Sequence, residues 1–197
     1  MYPGQPGKSH DHTFIGNDTT NAFSTLTSLL GQSSSCRRPG DMAGYWVPTP
    51  IDAAGKAITP RSATVYYRRH TLDPVQPFSQ GFKLIAGNSK ATAPQGLMIT
   101  SWNCGPVAEI RPTSTIPTCP DAKQQGLALH VQFPNCWDGV NLDSPDHQSH
   151  MAYSGHADLQ RLAAGGADGA REEMPERPAA LPAEVLASRG RSAEGSP

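Results

Sequence analysis

The aromatic residues confine the fold to one part of the chain. All 13 of them lie at or before Tyr153, and the 44 residues from Ser154 to Pro197 contain none. Ordering the backbone costs about 1–2 kcal/mol per residue, which buried apolar side chains must offset. The last 44 residues consist largely of Ala, Gly, Arg, Glu and Pro and offer little apolar area. We therefore predict one domain over residues 2–153 and a disordered tail over residues 154–197.

Glycine and proline set the fold class, because 19 of each in 197 residues disfavour long helices. Apolar and polar residues alternate along Leu127–Phe133, the period of a half-buried strand. Asn17–Leu30 is the best helix candidate, since Gly31 can end it. The sequence predicts a mainly β domain, antiparallel and sandwich-like, with one or two short helices. The other predicted strands are Tyr45–Val47, Ser62–Arg69, Phe82–Ala86 and Gly96–Asn103.

The charge is nearly balanced, with 16 Lys and Arg against 17 Asp and Glu. Nucleic-acid phosphates need clustered positive charge, so we expect no nucleic-acid partner. No apolar run approaches the ~20 residues that span a bilayer, so we expect no membrane span. The sequence leaves the oligomeric state open.

The four cysteines are Cys36, Cys104, Cys119 and Cys136. They have no CxxC spacing, which argues against a zinc ribbon or a thioredoxin-like motif. Their separations are typical of disulfides in a loop-rich secreted domain. Three pairings are open; one of them, Cys119–Cys136, would enclose the Leu127–Phe133 strand. The alternative is that some of them are buried free thiols.

Two short motifs hold four of the seven histidines. In an extended chain His10 and His12 share one face, and in a helical turn His147 and His150 meet on one side. Four imidazoles suit zinc or copper, with Asp146 orienting one of them. This metal site requires that the two motifs meet in space. The alternative is that these histidines hold loops together through hydrogen bonds.

A second hypothesis concerns the carboxylates of Asp138, Asp143 and Asp146, which follow Trp137 closely. Glycoside hydrolysis needs two carboxylates about 5–9 Å apart and benefits from an aromatic platform. The three aspartates are therefore candidate catalytic acids or bases. The alternative is that they form ordinary turns.

A third hypothesis is binding without catalysis. Exposed aromatic rings can stack on sugar faces, whereas buried rings pack in the core. His130 and His70 are interpreted as surface residues, because His130 lies on the polar side of its strand. The aromatic candidates are Trp46, Tyr66, Tyr67, Trp102 and Trp137.

Several of these motifs together resemble a family called domain of unknown function nineteen-ninety-six (DUF1996). The resemblance spans Tyr2 to Tyr153 and is strongest in the last stretch, Asn141-Leu142-Asp143-Ser144-Pro145-Asp146-His147-Gln148-Ser149-His150-Met151-Ala152-Tyr153. The other matching stretches are Tyr2-Pro3-Gly4-Gln5-Pro6-Gly7-Lys8-Ser9-His10-Asp11-His12-Thr13-Phe14-Ile15-Gly16-Asn17, Tyr45-Trp46-Val47-Pro48, Val65-Tyr66-Tyr67 and Phe133-Pro134-Asn135-Cys136-Trp137-Asp138-Gly139.

The resemblance implies an extracellular domain with a polysaccharide-related role. Together with the histidine motifs, it predicts a domain that acts on or binds cell-wall polysaccharide through a histidine-based zinc or copper site. The alternative function is a non-catalytic carbohydrate-binding or structural wall protein. The resemblance places His10, His12, Asp146, His147 and His150 among the characteristic positions of the family.

The chain departs from the family pattern at both ends. Family members usually begin with a signal peptide, whereas here Met1 adjoins the first motif. They also usually continue past the last motif with a Cys-Pro segment, where this chain has its Ala- and Arg-rich tail. We therefore expect a late start codon and a shifted reading frame from Ser154 onward.

Overall fold

The computed structural model describes residues 5, 7–8, 10–38, 40–67, 77–88, 90–105, 111–120 and 126–154, together with the backbone of 183–189. It forms two compact units, one made of Met1–Arg61 with Arg189–Pro197 and the other of Ser62–Ser188. The elements in chain order are β1 (His12–Gly16), α1 (Leu26–Leu29), β2 (Gly44–Pro48), β3 (Pro60–Tyr67), β4 (Thr100–Cys104), β5 (Leu127–Gln132), β6 (Cys136–Trp137), β7 (Met151–Ala152) and β8 (Ala183–Arg189). The predicted mainly antiparallel β fold with a short helix is confirmed.

In the first unit, β1 and β2 form an antiparallel pair in which Phe14 lies opposite Trp46. Tyr45 and Val47 of β2 are buried. β1 ends at Gly16, whose φ is +91°, and a Cβ there would lie 2.2 Å from the Ala43 carbonyl oxygen. Only glycine fits this position, because any side chain would collide with backbone.

The predicted helix over Asn17–Leu30 is wrong in extent, since α1 covers only Leu26–Leu29. Asn17 is buried, and its Oδ1 accepts bonds from the Thr19 amide and hydroxyl. This local turn competes with helix formation at the predicted start. The helix begins instead after Thr25, which shares a capping box with Ser28.

The second unit contains a four-stranded sheet in the order β3-β8-β5-β4. Both β4 and β8 pair antiparallel with β5. Ala128 and His130 of β5 are buried, whereas the alternating apolar face through Leu127 and Leu129 is only half-buried. His130 is therefore not a surface residue, and that interpretation is wrong. Its Nε2 lies 2.7 Å from Oδ1 of buried Asn103, so a buried polar pair replaces the expected apolar face.

Two other predicted strands are changed. The strand expected over Gly96–Asn103 is confined to Thr100–Cys104, because residues 97–99 form a turn. The strand expected over Phe82–Ala86 does not form; this segment bonds to a loop instead of to a sheet. β6 and β7 make a separate antiparallel pair that encloses residues 138–150, called the β6–β7 loop below.

Cys104 and Cys119 form a disulfide, so Cys119 is the partner of Cys104 among the other three cysteines. Cys36 and Cys136 are free and half-buried. Burial raises the pKa of the Cys136 thiol. The disulfide closes a short loop at the end of β4.

The predicted tail falls mostly on residues that the structure does not describe. Of residues 154–197 it describes Ser154 and the backbone of β8. Disorder of the remaining tail therefore stays a prediction, as does the shifted reading frame. Within the described part of the chain, no helix has the length and apolar character needed to cross a membrane.

The disulfide yields the first test. Cys104→Ser is expected to lower the free energy of unfolding by about 3 kcal/mol, the chain-entropy value for a loop of about 15 residues. Urea denaturation followed by tryptophan fluorescence measures this difference. Cys36→Ser is the matched control and should stay within about 0.5 kcal/mol of the unmodified protein. Equal midpoints for all three proteins would contradict the pairing.

Candidate functional site

The β6–β7 loop begins at Asp138, whose carboxylate fixes the first turn. Its Oδ1 accepts bonds from the amides of Val140 and Asn141, and its Oδ2 accepts one from the Asn141 side chain. Burial raises the pKa of Asp138, but these hydrogen bonds outweigh burial and leave its pKa below the ordinary value. Asp138 is therefore an ionised carboxylate that shapes the loop.

Asp146 fixes the second turn of the loop. Its Oδ1 accepts bonds from the amides of Ser149 and Gln148 and from the hydroxyls of Ser144 and Ser149. These donors, the Ser149 and Gln148 amides first, hold the pKa of Asp146 far below its ordinary range. We predicted that Asp146 orients an imidazole directly; it reaches one only through the hydroxyl of Ser144.

His150 is the last residue of the β6–β7 loop, and its side chain is buried, with 2 % exposed. Its Nδ1 is 2.8 Å from the Ser144 hydroxyl, and its Nε2 is 2.7 Å from the carbonyl oxygen of Lys83. A carbonyl can only accept, so Nε2 carries the proton and donates it. Both ring nitrogens therefore make hydrogen bonds that hold the loop in place.

Backbone bonds seat the loop on the segment 82–87. The Lys83 amide donates to the carbonyl of Leu142, and the Ile85 amide donates to the carbonyl of His147. The Gln148 side chain adds a bond to the carbonyl of Gly87. Together with His150, these bonds fix the loop against residues that lie about 60 positions earlier in the chain.

At the outer side of the loop, Asp143 and His147 form a pair. His147 Nδ1 lies 2.5 Å from Asp143 Oδ1, and the Lys83 ammonium lies 3.2 Å from Asp143 Oδ2. Burial raises the pKa of Asp143, but the bonds from His147 and Lys83 outweigh it and lower that pKa. Within the part of the chain that the structure describes, His147 Nε2 has no hydrogen-bond partner.

The backbone of His147 has a φ of +58°, in the left-handed region. A non-glycine residue adopts this region only when its surroundings hold it there, and such positions concentrate at functional sites. The predicted helical turn that would bring His147 and His150 together does not form, since residues 141–150 make turns and bends.

Beside the loop, four aromatic rings form a continuous row, called the aromatic row below. Tyr67 contacts Phe78 with ring centroids 5.9 Å apart, and Phe78 stacks on Phe82 at 5.4 Å. Phe82 meets Trp137 edge-on at 5.6 Å. Tyr67 and Phe78 are 49 % and 40 % exposed, so one end of the row faces solvent.

The other histidine pair lies in the first unit. The rings of His10 and His12 are 4.6 Å apart, and Trp46 meets His12 edge-on at 4.8 Å. Burial, then the charge of His10, lowers the pKa of His12. The shared face predicted for His10 and His12 is therefore present.

The structure describes no metal centre for these histidines. Among the described residues, no group of three or more His, Cys, Asp and Glu side chains is arranged to hold a metal ion. His10 and His12 belong to the first unit, whereas His147 and His150 belong to the second. A site that joins all four histidines stays a prediction.

Sequence reasoning found the loop residues but missed their partners. Lys83 and Phe82 lie in a segment interpreted as an ordinary strand, and Phe78 follows residues 68–76, which the structure does not describe. Of the aromatic candidates, Tyr66 and Tyr67 are exposed, while Trp137 is half-buried beside the loop. The aromatic row could not be read from spacing, because its members come from distant parts of the chain.

Comparison with known proteins gives one match. The family model that describes "Domain of unknown function (DUF1996)" matches residues 1–180. No curated protein and no solved structure matches the chain.

The hydrogen bonds of His150 give a stability prediction. His150→Leu removes both hydrogen bonds of this buried imidazole, and each is worth about 0.5–1.5 kcal/mol. We expect the free energy of unfolding to fall by about 2 kcal/mol in urea denaturation. Exposed His10→Leu is the control and should change it by less than about 0.5 kcal/mol. Equal effects of the two substitutions would contradict the role of His150.

The carboxylate of Asp146 gives a pH prediction. Because folding lowers its pKa, its contribution to stability is complete above the ordinary aspartate value of about 4 and is lost as pH falls below it. Urea denaturation between about pH 5 and pH 2 should show a smaller loss of stability for Asp146→Asn than for the unmodified protein. Asp18→Asn should keep the full loss. Parallel curves for the unmodified protein and Asp146→Asn would refute the assignment.

Proposed function

The chain belongs to the DUF1996 family, and we propose that its second unit binds polysaccharide of the cell wall, with the solvent-exposed end of the aromatic row as the binding surface. The observation that carries the proposal is the continuity of Tyr67, Phe78, Phe82 and Trp137 within one unit. Exposed aromatic rings such as those of Tyr67 and Phe78 offer apolar surface to sugar rings.

The exposure of the row supports binding more than packing. Tyr67 and Phe78 are 49 % and 40 % exposed, so both side chains are accessible to a ligand. Phe78 stacks on Phe82, which meets Trp137, and Trp137 is fixed by a bond from its Nε1 to the Asn141 carbonyl, 2.5 Å away. The exposed rings are thus held by half-buried ones, which lowers the cost of ordering the surface on binding.

An extracellular location is part of the proposal. The Cys104–Cys119 disulfide supports it, since disulfides persist in oxidising compartments and are rare in the cytosol. A histidine-based metal site is not part of the proposal. Both ring nitrogens of His150 are already hydrogen-bonded, and His10 and His12 alone are fewer than the three or four protein ligands of a zinc site.

The exposed end of the row gives the test. Phe78→Ala is expected to weaken binding about tenfold, because losing one stacked ring costs roughly 1.4 kcal/mol. Affinity electrophoresis in gels that contain glucomannan, xylan or β-glucan measures the change. Phe23→Ala, at an exposed phenylalanine of the first unit, is the matched control and should bind like the unmodified protein. Failure of the unmodified protein to bind any of the three polymers would refute the proposal.

A further inference from the structure

Asp143 and His147 form a hydrogen-bonded pair that is not needed to hold the β6–β7 loop in place. Asp138, Asp146 and His150 already fix the β6–β7 loop through their hydrogen bonds. His147 adds a left-handed backbone and a short bond to Asp143, and it leaves one ring nitrogen unbonded within the described part of the chain. The pair is accessible to solvent, since the His147 side chain is 36 % exposed.

The bond to Asp143 determines which nitrogen of His147 is basic. Lys83 and His147 bind opposite oxygens of the carboxylate, which keeps it ionised and able only to accept. Neutral His147 therefore carries its proton on Nδ1, which leaves the lone pair on Nε2. A carboxylate that orients an imidazole in this way is the arrangement of a general base.

We infer that His147 is the general base of an ester hydrolysis, and that the substrate is an acyl ester carried by the polysaccharide bound at the aromatic row. The inference rests on the proposed function for its substrate. Two contacts link the row to the pair: Phe82 meets Trp137, and Lys83, the residue after Phe82, lies 3.2 Å from Asp143.

The reaction balances without a further reactant. His147 Nε2 takes a proton from water while the water oxygen bonds to the acyl carbon, which gives a tetrahedral oxyanion. The bond between the acyl carbon and the sugar oxygen then breaks, and His147 returns its proton to that oxygen. The products are a carboxylic acid and a free sugar hydroxyl.

The charges favour ester hydrolysis over the cleavage of glycosidic bonds. Glycoside hydrolysis needs a protonated carboxylic acid, whereas Asp138, Asp143 and Asp146 each accept several hydrogen bonds that favour the ionised form. The three carboxylates outnumber Lys83, so a strongly anionic polymer would be repelled. A neutral polysaccharide with acyl substituents fits this surface.

The experiment measures acetate released from O-acetylated glucomannan and O-acetylated xylan by the full chain. His147→Asn removes the base, and asparagine tolerates the left-handed backbone of this position. We expect release to fall at least about 100-fold, the usual contribution of a general base. Binding of His147→Asn to alkali-deacetylated glucomannan should be unchanged. Lys56→Met, at an exposed lysine of the first unit, is the control and should release acetate normally.

Asp143 is a positioning residue in this scheme, and its test separates orientation from folding. Asp143→Asn should lower kcat with little change in KM. It should also shift His147 from the Nδ1–H to the Nε2–H tautomer in ¹⁵N NMR spectra, because an amide no longer demands a donor at Nδ1. A merely structural role would leave the tautomer unchanged.

Three outcomes would overturn the inference. They are no acetate release from either polymer, release that is unchanged in His147→Asn, and release that is abolished by EDTA, which would assign water activation to a metal ion. Binding to the deacetylated polymer separates the two claims. If the polymer is bound but no ester is cleaved, the inference fails and the proposed function stands; if no polymer is bound, the proposed function fails.

Discussion

The described second unit depends on one buried side chain that joins two distant segments. His150 donates from Nε2 to the Lys83 carbonyl and bonds through Nδ1 to Ser144, so a single imidazole links the β6–β7 loop to the segment beneath it. Few apolar side chains are buried among the described residues, whereas every buried polar side-chain atom there has a hydrogen-bond partner. In such a core, a satisfied polar network takes over part of what apolar packing usually does.

The surface proposed for binding follows from this constraint. Because the loop is seated on residues 82–87, Phe82 comes against Trp137, and Lys83 comes against Asp143. The first contact continues the aromatic row, and the second contact places a cation beside the Asp143–His147 pair. The proposed binding and the proposed proton transfer thus use residues that the same hydrogen bonds bring together. A site held in this way would lose little entropy on binding a polymer.

Patterns along the chain predicted the local features and failed where distant residues decide the outcome. β2 and β5 follow from their residue types and alternation, and the shared face of His10 and His12 follows from strand geometry. The alternation along β5 did not show which of its two faces is buried. The face that carries His130 is the buried one, and the partner of His130 is Asn103 on another strand. Likewise, no spacing rule joins Lys83 to the β6–β7 loop, since about 60 residues separate them.

The most direct test follows the indole N–H resonances of the three tryptophans during titration with glucomannan oligosaccharides. Trp137 belongs to the aromatic row, Trp46 lies in β2 of the first unit, and Trp102 lies in β4. If the aromatic row binds the polysaccharide, the Trp137 resonance shifts in proportion to binding, while the resonances of Trp46 and Trp102 do not shift. A shift confined to Trp46 or Trp102 would show that sugar binds elsewhere and would contradict the account.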